Sequence, residues 1–367
     1  MNVQPGRTAP ALRWGLGGLL GVALCILLGS GSAPAPIAGP PPRRTRPSTA
    51  SQLVHRAKKP AGTLGRTSSQ SSQLADGAHT GMTQVTTNVI VGHTERHYVV
   101  FTPSSPVARR VPALVVLHGR DVSLGLEEDR DGLLPLADQG KAVVVYPEGI
   151  RRSWNAGACC GAAQLAGVDD VAFLSEVLHR FATDPRVSGV YLAGFSNGGR
   201  MAYRMVCAAP SLVRAFVVVD AVPALDCPPG RPVSLLQLDG TVDPIVAYDS
   251  SVDPHVTNGF VEPSATDAVA AWAKRDGCSG QVASHALGEL QLAVWSQCSP
   301  GTTVQFGTYE GTGHGWPQGG PDTPSGADVL WTFVTSPGSQ PAVGAVPPRA
   351  LPVGASSAAL PESSSSS

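Results

Sequence analysis

No two cysteines in this 367-residue chain stand at C-x-x-C spacing, so it offers no thiolate set of the kind that holds structural zinc. No metal and no cofactor is expected. Nor does the N-terminal apolar run, Trp14 to Leu28, reach the ~18 residues of a stable membrane span; it has fifteen residues, and four of them are glycine. Positive charge is in excess only in the first 80 residues. They hold nine Lys or Arg against the single acid Asp76, a balance of +8 that leaves −9 for the rest, because the whole chain is −1. Nucleic-acid binding needs a basic face, so a remainder this acidic argues against that class. The basic stretch reads as a solvated linker.

Glycine and proline are plentiful, 42 and 33 residues, and they crowd the two ends. That distribution predicts a globular middle between low-complexity flanks. Arg7 and Arg13 precede the short apolar run, and Ser30-Gly31-Ser32 follow it, the pattern of a secretory signal peptide over 1–33. A disordered basic Pro/Ser-rich linker over 34–80, a catalytic domain over 81–337 and a disordered Pro/Ala/Ser tail over 338–367 complete the expected organisation. Once the signal is cleaved, the protein is expected to be secreted, with no stable membrane span.

Loss of the signal removes Cys25 and leaves six cysteines: Cys159, Cys160, Cys207, Cys227, Cys278 and Cys298. An even number in an exported protein reads as up to three disulfides. Cys278 follows a helix-like segment and Cys298 closes a strand-like one, so these two are expected to pair. Adjacent Cys159 and Cys160 would be strained if joined to each other, so each is expected to reach Cys207 or Cys227.

Between Met82 and about Thr335 strand and helix signals alternate. Strand-like runs lie at 96–101, 113–117, 142–146, 190–193, 216–219, 234–238 and 304–309. Several are unbroken Val/Leu runs without polar alternation, as in parallel strands covered on both faces. Val168, Val171, Leu174, Leu178 and Phe181 recur at helical spacing, with Asp169 or Asp170 placed to cap the start. Further helices are expected at 199–209, 266–275 and 327–335. The sum is one doubly wound, mostly parallel α/β domain.

Gly194-Phe195-Ser196-Asn197-Gly198 lies between a strand and a helix, the setting of a nucleophile elbow, where the turn is too sharp for side chains two residues either side of the serine. A serine hydroxyl needs a base, and the base an orienting carboxylate, both downstream. The strand at 234–238 runs into Asp239-Gly240-Thr241-Val242-Asp243-Pro244, and that at 304–309 into Gly313-His314-Gly315-Trp316-Pro317. Each candidate lies just beyond the carboxyl end of a strand, where such sheets place ligands. Asp243 has room to reach a histidine, whereas Asp239 reads as a turn residue. His314 is the candidate base, and His118 reads as a structural turn residue. Backbone N–H groups beside His118 and that of Asn197 would form an oxyanion hole. Acylation needs a neutral base, so one ionisation near the histidine value of about 6.5 should limit activity on the acid side.

These segments, with Leu117-His118-Gly119, Trp154 beside Cys159-Cys160, and Gly167-Val168-Asp169-Asp170-Val171, resemble the secreted esterase family of polyhydroxybutyrate depolymerases and feruloyl or acetyl-xylan esterases, from about Thr94 to Val334. The resemblance implies an α/β-hydrolase fold with Ser196 as nucleophile, Asp243 as acid and His314 as base. It also implies that the residue after His118-Gly119 gives an oxyanion donor through its N–H. Here that residue is Arg120, where a small or uncharged residue is usual, so its side chain is expected to bias acyl groups toward short or carboxylate-bearing ones. Trp154 and Trp316 flank the motifs as candidates for stacking on an aromatic or sugar group. The expected partner is an ester, small or polymeric; short or soluble esters are favoured, since the tail carries no polymer-binding module. A cell-envelope acyltransferase using the same three residues is one alternative. A non-catalytic binding protein on the same scaffold is the other, and the intact Ser, Asp, His order argues against it.

Overall fold

The computed structural model describes residues 69–71, 81–105, 109–280 and 282–336. The segment read as a signal peptide, most of the basic linker and the Pro/Ala/Ser tail lie outside the described residues. Within the stretch read as linker, β1 (Ser69–Ser71) pairs antiparallel with β2 (Met82–Val91). After β3 (Thr94–Pro103) come β4 (Val111–Leu117), β5 (Val143–Pro147), β6 (Val187–Phe195), β7 (Ala215–Val219) and β8 (Ser234–Gly240). A separate short hairpin is made by β9 (Val256–Thr257) and β10 (Phe260–Val261). The strands β11 (Val282–Leu287), β12 (Leu290–Trp295) and β13 (Val304–Tyr309) end the series.

Eleven of these strands form one sheet in the order β1-β2-β3-β5-β4-β6-β7-β8-β13-β12-β11. The stretch from β5 to β13 is parallel throughout; antiparallel hairpins extend it at both edges. Among the described residues seven α-helices accompany it: α1 (Leu124–Asp131), α2 (Leu134–Asp138), α3 (Gly161–Leu165), α4 (Asp170–Ala182), α5 (Asn197–Ala208), α6 (Ala265–Arg275) and α7 (Gly326–Thr335). This strand order, with β3 running against its neighbours and helices on both faces, is the α/β-hydrolase fold.

The unbroken apolar run of β4 shows why the strands read as doubly covered. Successive side chains point to opposite faces, so Ala113, Val115 and Leu117 enter one core, with Phe173, Val177, Met201 and Trp272 of α4, α5 and α6. Leu114 and Val116 enter the other, with Ala137, Leu330 and Phe333 of α2 and α7. Complete burial of one such leucine contributes roughly 1.5–3 kcal/mol, so neither face tolerates a polar substitution. Among the described residues no helix is long and apolar enough to cross a membrane.

The expected helix starts are met with one refinement. Asp169 is the cap of α4, accepting the Ala172 N–H at 3.0 Å. Asp170 instead turns inward to Arg96 at 2.8 Å and accepts the Asn155 N–H, which steadies the 149–156 loop. The strand β11 was not expected. Every one of its side chains is exposed, so no buried face imposes a period of two on its sequence.

Cys278 joins Cys298, as expected. The expectation for the other four is overturned: Cys207, at the end of α5, joins Cys227, with 5.4 Å between their Cα atoms, and Cys159 joins Cys160. Backbone bonds from Cys160 N–H to Trp154 O and from Ala156 N–H to Cys159 O fold the vicinal pair into its own turn, so α5 and the loop after β7 satisfy each other. Each of the two 20-residue separations closes a loop worth about 3 kcal/mol in the chain-entropy model. Non-reducing peptide mapping is expected to find Cys278 linked to Cys298 and Cys207 linked to Cys227. Recovery of alkylated Cys278 from unreduced protein would refute the first of these pairs.

Candidate active site

Parallel strands carry their carboxyl ends to one edge, so the loops after β4, β6, β7, β8 and β13 meet there. Ser196 sits between β6 and α5 at φ 52°, ψ −117°, a backbone region that non-glycine residues rarely adopt and that marks functional strain. The flanking glycines are sterically required. A Cβ on Gly194 would lie 2.4 Å from the Gly198 carbonyl carbon, and one on Gly198 would lie 2.1 Å from Leu117 O. The Ser196 N–H is fixed to Val219 O at 2.9 Å. Of seven non-glycine residues with positive φ among the described residues, five (Asp121, Arg151, Arg152, Ser196 and Asp220) lie in loops of this same edge.

The structure brings Ser196, His314 and Asp243 together. His314 Nε2 lies 2.9 Å from Ser196 Oγ, and His314 Nδ1 lies 2.7 Å from Asp243 Oδ2. The other Asp243 oxygen accepts the N–H groups of Ile245 and Val246 at 2.7 and 3.0 Å, which fixes the carboxylate. With Asp243 ionised and able only to accept, the imidazole proton resides on Nδ1 and Nε2 presents its lone pair to the serine hydroxyl. The Phe195 ring packs against the imidazole, with 4.9 Å between centroids.

Asp239 makes no contact with His314. It is buried, accepts from Gln237 Nε2 at 2.7 Å, and Gln237 Oε1 in turn accepts the Tyr203 O–H at 2.6 Å. Burial first, and the neighbouring Asp220 second, push its ionisation well above the usual carboxylate range.

His118 is a structural turn residue, as expected. Its Nδ1–H donates to Gly119 O at 2.8 Å and its Nε2 accepts the Gly149 N–H at 3.0 Å, so both ring nitrogens are engaged. Burial holds its ionisation below the ordinary histidine value. Asn197 occupies the first position of α5, where the N–H has no intrahelical acceptor. The Arg120 N–H likewise meets no acceptor among the described residues. The Arg120 side chain is 59% exposed, with its Nε 3.5 Å from Asp121 Oδ2.

Neither tryptophan presents a face for stacking. Trp154 is completely buried, and its Nε1–H donates to His118 O at 3.0 Å. Its backbone exchanges two hydrogen bonds with the Asn197 amide, from Trp154 N–H to Oδ1 at 2.7 Å and from Nδ2 to Trp154 O at 3.0 Å. It braces both segments from which the oxyanion donors would come. Trp316 is 5% exposed, with its Nε1–H donated to Glu127. Burial pushes Glu127 up to about 7, against the pull of that indole N–H.

Two site residues escape sequence reasoning. Asp220 directly follows the strand expected at 216–219, so its place at a carboxyl strand end was a usable signal. Glu127 lies in the run Leu126-Glu127-Glu128-Asp129-Arg130, which reads as a solvated helix face. Asp220, Asp243 and His314 lie close enough to share a cation, yet both imidazole nitrogens already have protein partners.

No protein-family model matches the chain. Feruloyl esterase B of Piromyces equi is 28% identical over 188 residues, covering 47% of this chain and 34% of that protein. A bifunctional acetylxylan esterase/xylanase of Neocallimastix patriciarum is 25% identical over 244 residues, 64% of this chain and 32% of that protein. Feruloyl esterase C of Emericella nidulans is 29% identical over 202 residues, 53% of this chain and 65% of that protein. The chain thus spans about a third of the length of the first two. In sequence it is feruloyl esterase-like, and in fold it is an α/β-hydrolase.

Proposed function

We propose that this chain is a secreted serine esterase that cleaves carboxylic esters through an acyl-enzyme on Ser196. The observation that carries the reading is the unbroken hydrogen-bonded line from Asp243 through His314 to Ser196. His314 Nε2 takes the Ser196 proton as Oγ attacks the ester carbonyl, and Asp243 stabilises the imidazolium so formed. The N–H groups of Asn197 and Arg120 receive the negative oxygen of the tetrahedral intermediate, each such donor worth about 3–4 kcal/mol of barrier. The imidazolium then gives its proton to the leaving alcohol. Water repeats the sequence on the acyl-enzyme, the acid departs, and Ser196 regains its hydroxyl. The relatives' names favour feruloyl-type or acetyl-type esters, and the motif resemblance adds hydroxybutyrate esters. Export is supported by the three disulfides and the signal-like N-terminus.

The full chain is to be assayed on p-nitrophenyl acyl esters of rising length, methyl ferulate, acetylated xylan and hydroxybutyrate oligomers. Turnover of at least the short aryl esters is expected; a folded protein inert on the whole panel would end the esterase reading. On the same panel Arg120→Gly is expected to shift the acyl-length preference while leaving the acid-side pH dependence in place. An unchanged substrate profile would place that side chain outside the acyl pocket.

A further inference from the structure

The mechanism above uses one carboxylate, yet two stand beside His314. Asp220 is completely buried and follows β7 at φ 46°. That left-handed turn aims its carboxylate between the loops that carry the acid and the base. Its Oδ1 accepts the N–H of Gly240, the last residue of β8 and the entrance to the Asp243 loop, at 3.0 Å. Its Oδ2 accepts the N–H of Gly315, the residue immediately after His314. One ligand atom each from Asp220, Asp243 and His314 fall within 4.8 Å of one another.

We propose that Asp220 is a positioning residue of the hydrolytic site, whose ionised carboxylate clamps the Asp243 loop to the His314 loop during turnover. The inference rests on the esterase reading of Ser196, Asp243 and His314. A carboxylate has only acceptors to offer, and both groups that meet it are N–H donors. Protonation of either oxygen turns an acceptor into a donor facing another donor, and the clamp opens on that side. The loop it then releases holds Nε2 against the serine hydroxyl, where an error of about 1 Å costs on the order of 100-fold in rate.

The charged and titratable groups that face Asp220 are Asp243 in the loop after β8, Asp239 on β8 itself and His314 in the loop after β13. Burial first, and the charge of Asp243 second, push Asp220 up to about 7; the N–H groups of Gly315 and Gly240 and the nearby His314 pull the other way. The sign follows directly. Below about pH 7 the carboxyl holds its proton and the clamp is open; above it the clamp is closed. His314 must also lose a proton to act as base, so the single ionisation expected from the sequence becomes two. On the acid limb kcat/KM then falls more steeply than the 10-fold per pH unit of one group over about the first one to two units below the ionisations.

The test is the pH profile of kcat/KM for p-nitrophenyl acetate between pH 5 and 8.5, on the full chain and two variants. Wild type is expected to show the steep limb. Asp220→Asn keeps one acceptor but turns an amide N–H toward the other donor; it should lower kcat 10- to 100-fold at pH 8 with KM nearly unchanged, and its limb should relax to 10-fold per unit. Asp220→Ser, which also cannot ionise in this range, should show the same shallow limb. A wild-type limb of 10-fold per unit overturns the proposal even if neither variant folds. So does a steep limb that persists in either variant. An inert wild type overturns the esterase reading along with it, whereas an active wild type with one ionisation overturns the role of Asp220 alone.

Discussion

Ser196→Ala is expected to lower kcat for p-nitrophenyl acetate by about 10⁴- to 10⁶-fold and to leave the melting temperature close to that of the wild type. The rate loss follows from the contact: the proton-accepting nitrogen of His314 meets Ser196 Oγ at 2.9 Å, and with that oxygen gone no acyl-enzyme forms. What remains comes from substrate binding and the two N–H donors, which still polarise the carbonyl toward water. Stability should hold because the left-handed backbone at 196 is imposed by the surrounding chain, and alanine bears the same Cβ as serine. Rates are to be read beside calorimetry on one preparation. Turnover within ten-fold of wild type would remove Ser196 from its proposed role.

Asp243→Asn and Asp239→Asn are expected to separate by about three orders of magnitude or more in kcat. At 243 the amide NH₂ can turn toward Nδ1, favour the imidazole tautomer with its proton on Nε2, and so withdraw the lone pair that accepts the serine proton; loss on the order of 10⁴-fold is expected. Asp239 touches neither His314 nor Ser196. Burial and the neighbouring Asp220 hold its ionisation well above the usual carboxylate range, and asparagine, which has no charge to bury, still accepts from Gln237. The effect at 239 should appear in stability instead. A carboxyl with a raised folded-state pKa contributes stability that is complete below its unfolded value of about 4 and lost as pH climbs toward the folded one. Asp239→Asn should therefore melt at nearly the wild-type temperature at pH 4 and increasingly above it toward pH 8. A larger kcat loss at 239 than at 243, with an unchanged melting curve, would reverse the assignment.

The sheet's parallel strands were legible because burial on both faces leaves an unbroken apolar run, as in Val111–Leu117, and the elbow because backbone atoms closing on Gly194 and Gly198 admit no Cβ. The line of Ser196, Asp243 and His314 was legible because each lies at a strand end. What failed has two causes. Exposure of all six β11 side chains erases its periodicity. The pairing of Cys207 with Cys227, the burial of Trp154 and Trp316 and the clamp of Asp220 depend on which distant segments meet in space, and spacing along the chain does not encode that. Local signals identify what a residue does to its own turn; they are silent about the turn it faces.

Trp154 gives the site an uneven capacity for change. One buried indole and its own peptide group hold His118 O and the Asn197 amide together, so the two segments proposed to donate to the oxyanion share one neighbour. A substitution there removes the indole bond to His118 O and leaves the two peptide-group bonds to the Asn197 amide, so it loosens the Arg120 side of the pair first. The Arg120 side chain is outside that brace, since only the N–H is asked for and the side chain stands largely in solvent. Substrate range can therefore drift at position 120 while the reacting geometry stays pinned, and new ester specificities on this scaffold should arise at the rim, leaving the brace untouched.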